Sequence, residues 1–129
     1  NISSVLGLLA FPTQSAYIMS KFAVRGLTEC LWSELDGTGV NAVCVHPGGI
    51  RTNIEKASRR CKATGAEEEK AARMVEKMLR TPPEDCAADI INGLRKGNRR
   101  IITGYKSTTM FWMGRLFPNS YTALLKLVG

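Results

Sequence analysis

Apolar residues recur at helical intervals from Ser15 to Leu35, where Ala16, Phe22, Ala23, Leu27, Cys30, Leu31 and Leu35 form one stripe. This spacing predicts a long amphipathic helix, ended by Gly37 and Gly39. Phe22, Arg25, Gly26, Glu29, Trp32 and Ser33 lie partly off that stripe and offer a second contact face. Val40 to Val45 is a short, β-branched-rich apolar run closed by His46-Pro47-Gly48-Gly49, the pattern of a strand buried on both faces of a parallel sheet. His46 reads as a strand-end residue. Residues 53–65 are polar and basic without a period and predict a loop. A helix follows over Glu67–Leu79, with Ala71, Met74, Val75, Met78 and Leu79 opposite Glu67, Glu68, Lys70, Arg73 and Lys77.

Thr81-Pro82-Pro83-Glu84 supplies a capping threonine and first-turn prolines for a helix through Ala87, Ile90, Ile91 and Leu94, which Gly97 stops. Arg99 to Thr103, centred on Ile101-Ile102, then predicts a short strand ending at Gly104. The tail carries Met110-Phe111-Trp112-Met113, Leu116-Phe117-Pro118 and Leu124, Leu125, Leu127 and Val128, interspersed with Lys106, Arg115 and Lys126. It is suited to packing as helix on the sheet, closing a hydrophobic substrate pocket, pairing in a dimer, or peripheral membrane contact. No apolar run approaches the roughly 18–20 residues that span a bilayer.

A length of 129 residues with 44% hydrophobic composition fits one globular unit. The net charge of +7 raises the question of nucleic acid or an anionic surface. Its basic clusters, Arg59-Arg60-x-Lys62, Arg95-Lys96 and Arg99-Arg100, lack aromatic interleaving and any recognition-helix pattern, so they read as solvated surface and no nucleic-acid partner is expected. Cys30, Cys44, Cys61 and Cys86 form no Cys-x-x-Cys pair, and the single His46 cannot complete a metal set. Reduced packing cysteines fit a cytoplasmic location.

Chemistry is concentrated near the start of the chain. Tyr17 and Lys21 are four residues apart on the first helix and share one face. A phenol is a poor proton donor and acceptor at neutral pH unless a nearby cation favours its ionised form, and Lys21 is placed to do so. Asn1-Ile2-Ser3-Ser4 reads as a strand end, where the Ser4 hydroxyl can donate to a carbonyl oxygen gaining negative charge.

Asn-Ile-Ser-Ser-x-x-Gly, then Pro12, then Tyr17-x-x-x-Lys21, resembles the active-site segment of the short-chain dehydrogenases/reductases. The resemblance implies that Ser4 orients the substrate carbonyl, that Tyr17 is the general acid and base, and that Lys21 binds the nicotinamide ribose and supports Tyr17. Pro47-Gly48-Gly49-Ile50-x-Thr52 resembles the same family's loop around the nicotinamide end of the cofactor. There the glycines permit close approach, Thr52 can hydrogen-bond a carboxamide or phosphate oxygen, and the Ile50 backbone meets the carboxamide.

The implied fold is α/β, a Rossmann-like doubly wound parallel sheet, of which only the C-terminal half is expected. No segment matches Gly-x-x-x-Gly-x-Gly, and the chain opens at Asn1 inside a strand end. The expected organisation is one partial NAD(P)-binding domain: active-site and nicotinamide-loop segment 1–54, substrate lid 55–80, last helix-strand unit 81–104 and apolar tail 105–129. The implied activity is hydride transfer between NAD or NADP and a small-molecule carbonyl/alcohol pair, with a hydrophobic substrate suggested by the lid and tail. A homo-oligomer is implied for the full-length protein. The alternative is an inactive, fold-retaining fragment that serves as a binding or dimerisation module.

Overall fold

The computed structural model describes residues 1–54, 57 and 65–128, and in them helices alternate with short parallel strands. After a 3₁₀ turn at Val5–Gly7 come α1 (Ser15–Glu34), β1 (Cys44–Pro47), α2 (Ala66–Met78), α3 (Pro83–Arg95), β2 (Arg100–Thr103), α4 (Ser107–Leu116) and α5 (Tyr121–Val128). Strand β1 pairs in parallel with β2, Cys44 opposite Arg100 and Pro47 opposite Thr103. Its other edge pairs in parallel with the chain start through Ile2 and Val45. There Ser3 N donates to Val45 O at 2.8 Å and Val45 N to Asn1 O at 2.9 Å. Strand β1 is therefore central, and its Cys44, Val45 and His46 are buried.

Alternation along the strands decides which helix covers which face. Cys44, His46 and Arg100 face α1, where Thr28 is buried beside the Cys44 thiol and Glu29 Oε1 lies 2.5 Å from Arg100 Nη2. Ile101 and Thr103 face α3. A side chain at Gly93 would come within 2.6 Å of Ile101 Cδ1, and Thr103 Oγ1 donates to Asp89 Oδ2 at 2.5 Å. Both crossovers step the same way across the sheet yet place their helices on opposite faces, so they have opposite hands. The architecture is Rossmann-like α/β, with helices on both faces of a parallel sheet.

Most predicted elements are present, with two boundary corrections. The apolar run predicted as strand from Val40 forms no ladder until Cys44, and the strand continues to Pro47. Before Cys44 the backbone is held by other donors: Trp32 Nε1 bonds Ala42 O at 3.0 Å and the Asn1 ammonium bonds Val43 O at 2.9 Å. Pairing starts where the neighbour allows it, as Cys44 N reaches Arg99 O at 3.0 Å.

Helix α3 starts at Pro83, but Pro82 occupies the capping position without a side-chain bond. The predicted cap, Thr81, instead bridges to Ile50 in extended backbone. Of the predicted α2 stripe, Met74, Val75, Met78 and Leu79 are half-buried while Arg73, Glu76 and Lys77 are exposed. The stripe's Ala71 side chain, most of the predicted 53–65 loop and Cys61 lie outside the described residues.

The tail folds as two helices over the turn that follows Ser4. Val5, Leu9 and Met110 form a buried cluster, packed round by Leu6, Met78, Met113, Tyr121 and Leu125. Leu9 is 1% exposed, and full burial of a leucine stabilises by about 1.5–3 kcal/mol. Tyr121 adds a polar tie, its hydroxyl accepting from Ala10 N at 3.0 Å. Among the described residues, no helix is long and apolar enough to cross a membrane.

Candidate active site

Because the three paired segments run parallel, their carboxyl ends, at Ser4, Pro47 and Thr103-Gly104, lie along one edge, where open α/β sheets bind ligands. Ser4 is buried and extended, and its hydroxyl caps the 3₁₀ turn by accepting from Leu6 N at 3.1 Å. The hydroxyl's own proton remains free to be donated, the property required to steady a carbonyl oxygen.

Helix α1 carries Tyr17 and Lys21 to this edge. Lys21 Nζ sits 5.5 Å from the Tyr17 ring centroid and donates to Ile2 O at 3.2 Å. Tyr17 is 39% exposed, open to an incoming molecule. The helix is locked to the strand end by a residue that the family motif did not single out: Ser3 Oγ donates to Lys21 O at 2.8 Å. Gly7 permits this approach, since a side chain there would collide with Ser3 Oγ and come within 2.9 Å of Lys21 O. The pattern Ser-Ser-x-x-Gly contained this information, because a buried hydroxyl beside an obligatory glycine marks a close backbone contact.

The loop after β1 is packed closely against neighbouring backbone. Gly48 N donates to Thr103 O at 2.7 Å. A side chain at Gly48 would lie 2.5 Å from Tyr105 O, and one at Gly49 would overlap the Met78 carbonyl. The space freed by both glycines is thus filled by protein backbone. The Ile50 N–H donates to Gly48 O at 3.0 Å, which leaves the Ile50 carbonyl as the part of that backbone able to meet a carboxamide, beside the exposed Arg51 and Thr52 side chains. Thr52 Oγ1 accepts from Ile54 N at 3.4 Å. Among the described residues no hydrogen bond joins Thr52 to Ser4, Tyr17 or Lys21. The loop is placed by the end of β1, while the other three are placed by the Ser3–Lys21 contact.

His46, read from the sequence as a strand-end residue, is fully buried with Nδ1 3.0 Å from Ser4 O. Burial pushes its pKa below the usual imidazole value. Burial also raises the Cys44 and Cys86 thiols, which makes them packing groups and poor nucleophiles. Among the described residues no cluster of His, Cys, Asp or Glu could hold a metal. A cleft of about 210 Å³ lined by Trp32, Val40 and Arg99 opens at the amino end of β1, the edge opposite Ser4.

A family model described as short chain dehydrogenase matches residues 1–63, the span that holds Ser4, Tyr17, Lys21 and the Pro47–Thr52 loop. The chain is 39% identical over 128 residues to the Mycobacterium tuberculosis protein SadH, whose name assigns it provisionally to the oxidoreductases. The chain belongs to the short-chain dehydrogenase/reductase family.

The SadH match covers 97% of this chain and 46% of that protein. A second dehydrogenase/reductase relative, family member 7B of Danio rerio, is 30% identical over 132 residues, 93% of this chain and 38% of its own length. The chain thus spans less than half the length of these curated relatives. Among solved structures, a short-chain dehydrogenase from Streptomyces avermitilis aligns with a TM-score of 0.71 at 28% identity, covering 98% of this chain and 48% of its own. A short-chain dehydrogenase/reductase from Burkholderia phymatum, solved in complex with NAD, aligns with a TM-score of 0.68 at 28% identity, over 78% of this chain and 40% of its own.

Proposed function

We propose that this protein is an NAD(P)-dependent oxidoreductase that interconverts a carbonyl and an alcohol, with Ser4, Tyr17 and Lys21 as its catalytic residues. The observation that carries the reading is Lys21 Nζ held 5.5 Å from the Tyr17 ring on a helix face clasped to the Ser3-Ser4 strand end. Tyr17 gives a proton to the carbonyl oxygen in reduction and takes it back in oxidation, while the Ser4 hydroxyl donates to the same oxygen.

The donor set fits a dinucleotide's nicotinamide end. The Lys21 ammonium has three N–H groups and uses one on Ile2 O, leaving two for ribose hydroxyls and the Tyr17 oxygen. When bound, the cofactor, NAD or NADP, supplies or accepts the hydride. The loop Pro47, Gly48, Gly49, Ile50 and Thr52 lines the approach to it, with the Ile50 carbonyl and the Thr52 hydroxyl among its polar groups. A hydrophobic substrate is favoured by the apolar cluster of Leu6, Met78 and Met113 around the turn that follows Ser4.

NAD(P)H-coupled turnover of the full-length protein on apolar and polar ketones tests this. Tyr17→Phe is expected to lose about 10²–10⁴-fold in kcat, and a variant as active as the wild type would remove Tyr17 from the mechanism. Faster turnover of polar ketones would overturn the substrate class. A second reading, a binding or dimerisation module without turnover, is favoured by Met19, Phe22 and Leu27, exposed along α1. It predicts no turnover and an oligomer that Phe22→Glu dissociates in sedimentation experiments.

A further inference from the structure

His46 is fully buried on the central strand, yet the proposed chemistry gives it no task. Its surroundings assign one. The Ser4 carbonyl oxygen receives two donors, Gly7 N at 2.9 Å and His46 Nδ1 at 3.0 Å. A carbonyl can only accept, so Nδ1 carries the imidazole proton. His46 Nε2 is buried and has no partner among the described residues, so the ring there presents a bare lone pair. With both acceptor positions of its carbonyl filled and its hydroxyl accepting from Leu6 N at 3.1 Å, Ser4 has little freedom left in either backbone or side chain. His46 also immediately precedes Pro47, the last residue of β1 and the start of the Pro47–Thr52 segment.

We infer that His46 is a positioning residue: its Nδ1–H fixes the Ser4 peptide plane, aims the Ser4 hydroxyl, and couples that hydroxyl to the Pro47–Thr52 loop. The inference rests on the proposed oxidoreductase reading for its kinetic consequence, but the hydrogen bond stands independently of that reading. A positioning group acts on the chemical step, because a displacement of about 1 Å at the reacting centre costs up to about 10²-fold.

The test compares three substitutions in the full-length protein. His46→Asn keeps a donor nitrogen the same number of bonds from the backbone as Nδ1. His46→Gln moves the donor one bond outward, and His46→Leu removes it. The expected result is kcat lowered about 10- to 100-fold in His46→Leu and His46→Gln, with cofactor KM within about threefold of wild type and His46→Asn restoring kcat to within about threefold. Imidazole ¹⁵N NMR of the wild type at pH 7 supplies a readout free of turnover, with a protonated Nδ1 and an unprotonated Nε2 expected.

Wild-type kcat in His46→Leu, or a proton found on Nε2 instead, overturns the proposal. If His46→Leu does not fold, His46→Gln and the NMR tautomer decide. If Tyr17→Phe retains activity, the oxidoreductase reading fails while the tautomer still tests the His46–Ser4 bond. If Tyr17→Phe is inactive and the His46 variants match wild type, the positioning role alone fails.

Discussion

Ser3 holds Lys21 by its backbone: the Ser3 hydroxyl donates to the Lys21 carbonyl at 2.8 Å, while the Lys21 side chain reaches the residue before Ser3, Nζ donating to the Ile2 carbonyl at 3.2 Å. The first bond fixes the turn of α1 that carries Lys21, and the second fixes the side chain. Ser3→Ala removes one partner of a buried bond, for which about 1 kcal/mol of stability is the expected loss in urea unfolding. Gly7→Ala intrudes on the same contact, where it meets Ser3 Oγ and approaches Lys21 O to 2.9 Å. Overpacking of this kind costs about 1–3 kcal/mol, so Gly7→Ala should be the worse of the two. Equal stability of Gly7→Ala and wild type would show that the clasp is absent in solution.

Two other glycines give opposite expectations for the same substitution. Gly26 sits within α1 with nothing within 4 Å of where a side chain would begin. Gly26→Ala should stabilise by about 0.5–1 kcal/mol, because alanine loses less backbone freedom in a helix. Gly49→Ala would run into the Met78–Leu79 peptide, whose atoms are backbone, with no flexible side chain to yield. It should destabilise the protein and displace the loop after β1. Thermal melts of the two variants should move in opposite directions.

Glu29 ties α1 to β2 by accepting from Arg25 at 2.8 Å and Arg100 at 2.5 Å. Burial raises its carboxyl, but the bonds and charges of the two arginines outweigh that, and its pKa falls below the usual value. Glu29→Gln leaves the Arg100 guanidinium, whose Nε has no partner among the described residues, with less compensation. A loss of about 1–2 kcal/mol is expected. The exposed Arg73–Glu69 pair on α2, 3.5 Å apart, provides the contrast, as Arg73→Ala should change stability by less than about 0.5 kcal/mol. Similar losses from both would argue that Arg100 and Glu29 are as solvated as the surface pair.

These contrasts also explain what the chain disclosed in advance. The extent of the helix from Ser15 was legible because periodic apolar residues and the terminating Gly37 and Gly39, with φ of +74° and +78°, follow local rules, but its buried face was not: Ile18 and Thr28 are buried, while Ala16, Phe22, Ala23, Leu27 and Cys30 of the predicted stripe are exposed. Ser4, Tyr17 and Lys21 were legible as a motif. The start of β1 was not, because a strand begins where a partner's carbonyls are, and Arg99 lies 55 residues on from Cys44. The roles of Gly48 and Gly49 were hidden for the same reason: the groups that fill their missing side chains, Tyr105 and Met78, are distant in sequence. His46 reads as a strand end in isolation, and only its approach to Ser4 across the sheet shows that it holds a candidate catalytic residue.

The same histidine sets a pH dependence of stability. Burial lowers its pKa below 6.5; the bond to the Ser4 carbonyl opposes this in part, and the charges of Arg100 and Arg25 reinforce it against a lesser effect of Glu29. Below pH 6.5 the unfolded chain therefore binds a proton that the folded chain resists, and stability falls as pH falls. Well above 6.5 both states are neutral and the group adds no slope, whereas near 6.5 the unfolded imidazole is about half protonated and the slope has begun. The loss should develop from about pH 6.5 downward at no more than about 1.4 kcal/mol per pH unit. Glu29, whose folded pKa lies below 4.5, contributes only in more acidic solution, so the two effects are separable. Urea unfolding at pH 7.5, 6.5 and 5.5 should show wild-type stability nearly level over the first interval and falling over the second, with His46→Asn flat through both. Identical profiles for the two proteins would place the proton uptake elsewhere and leave His46 solvated and able to ionise in the fold.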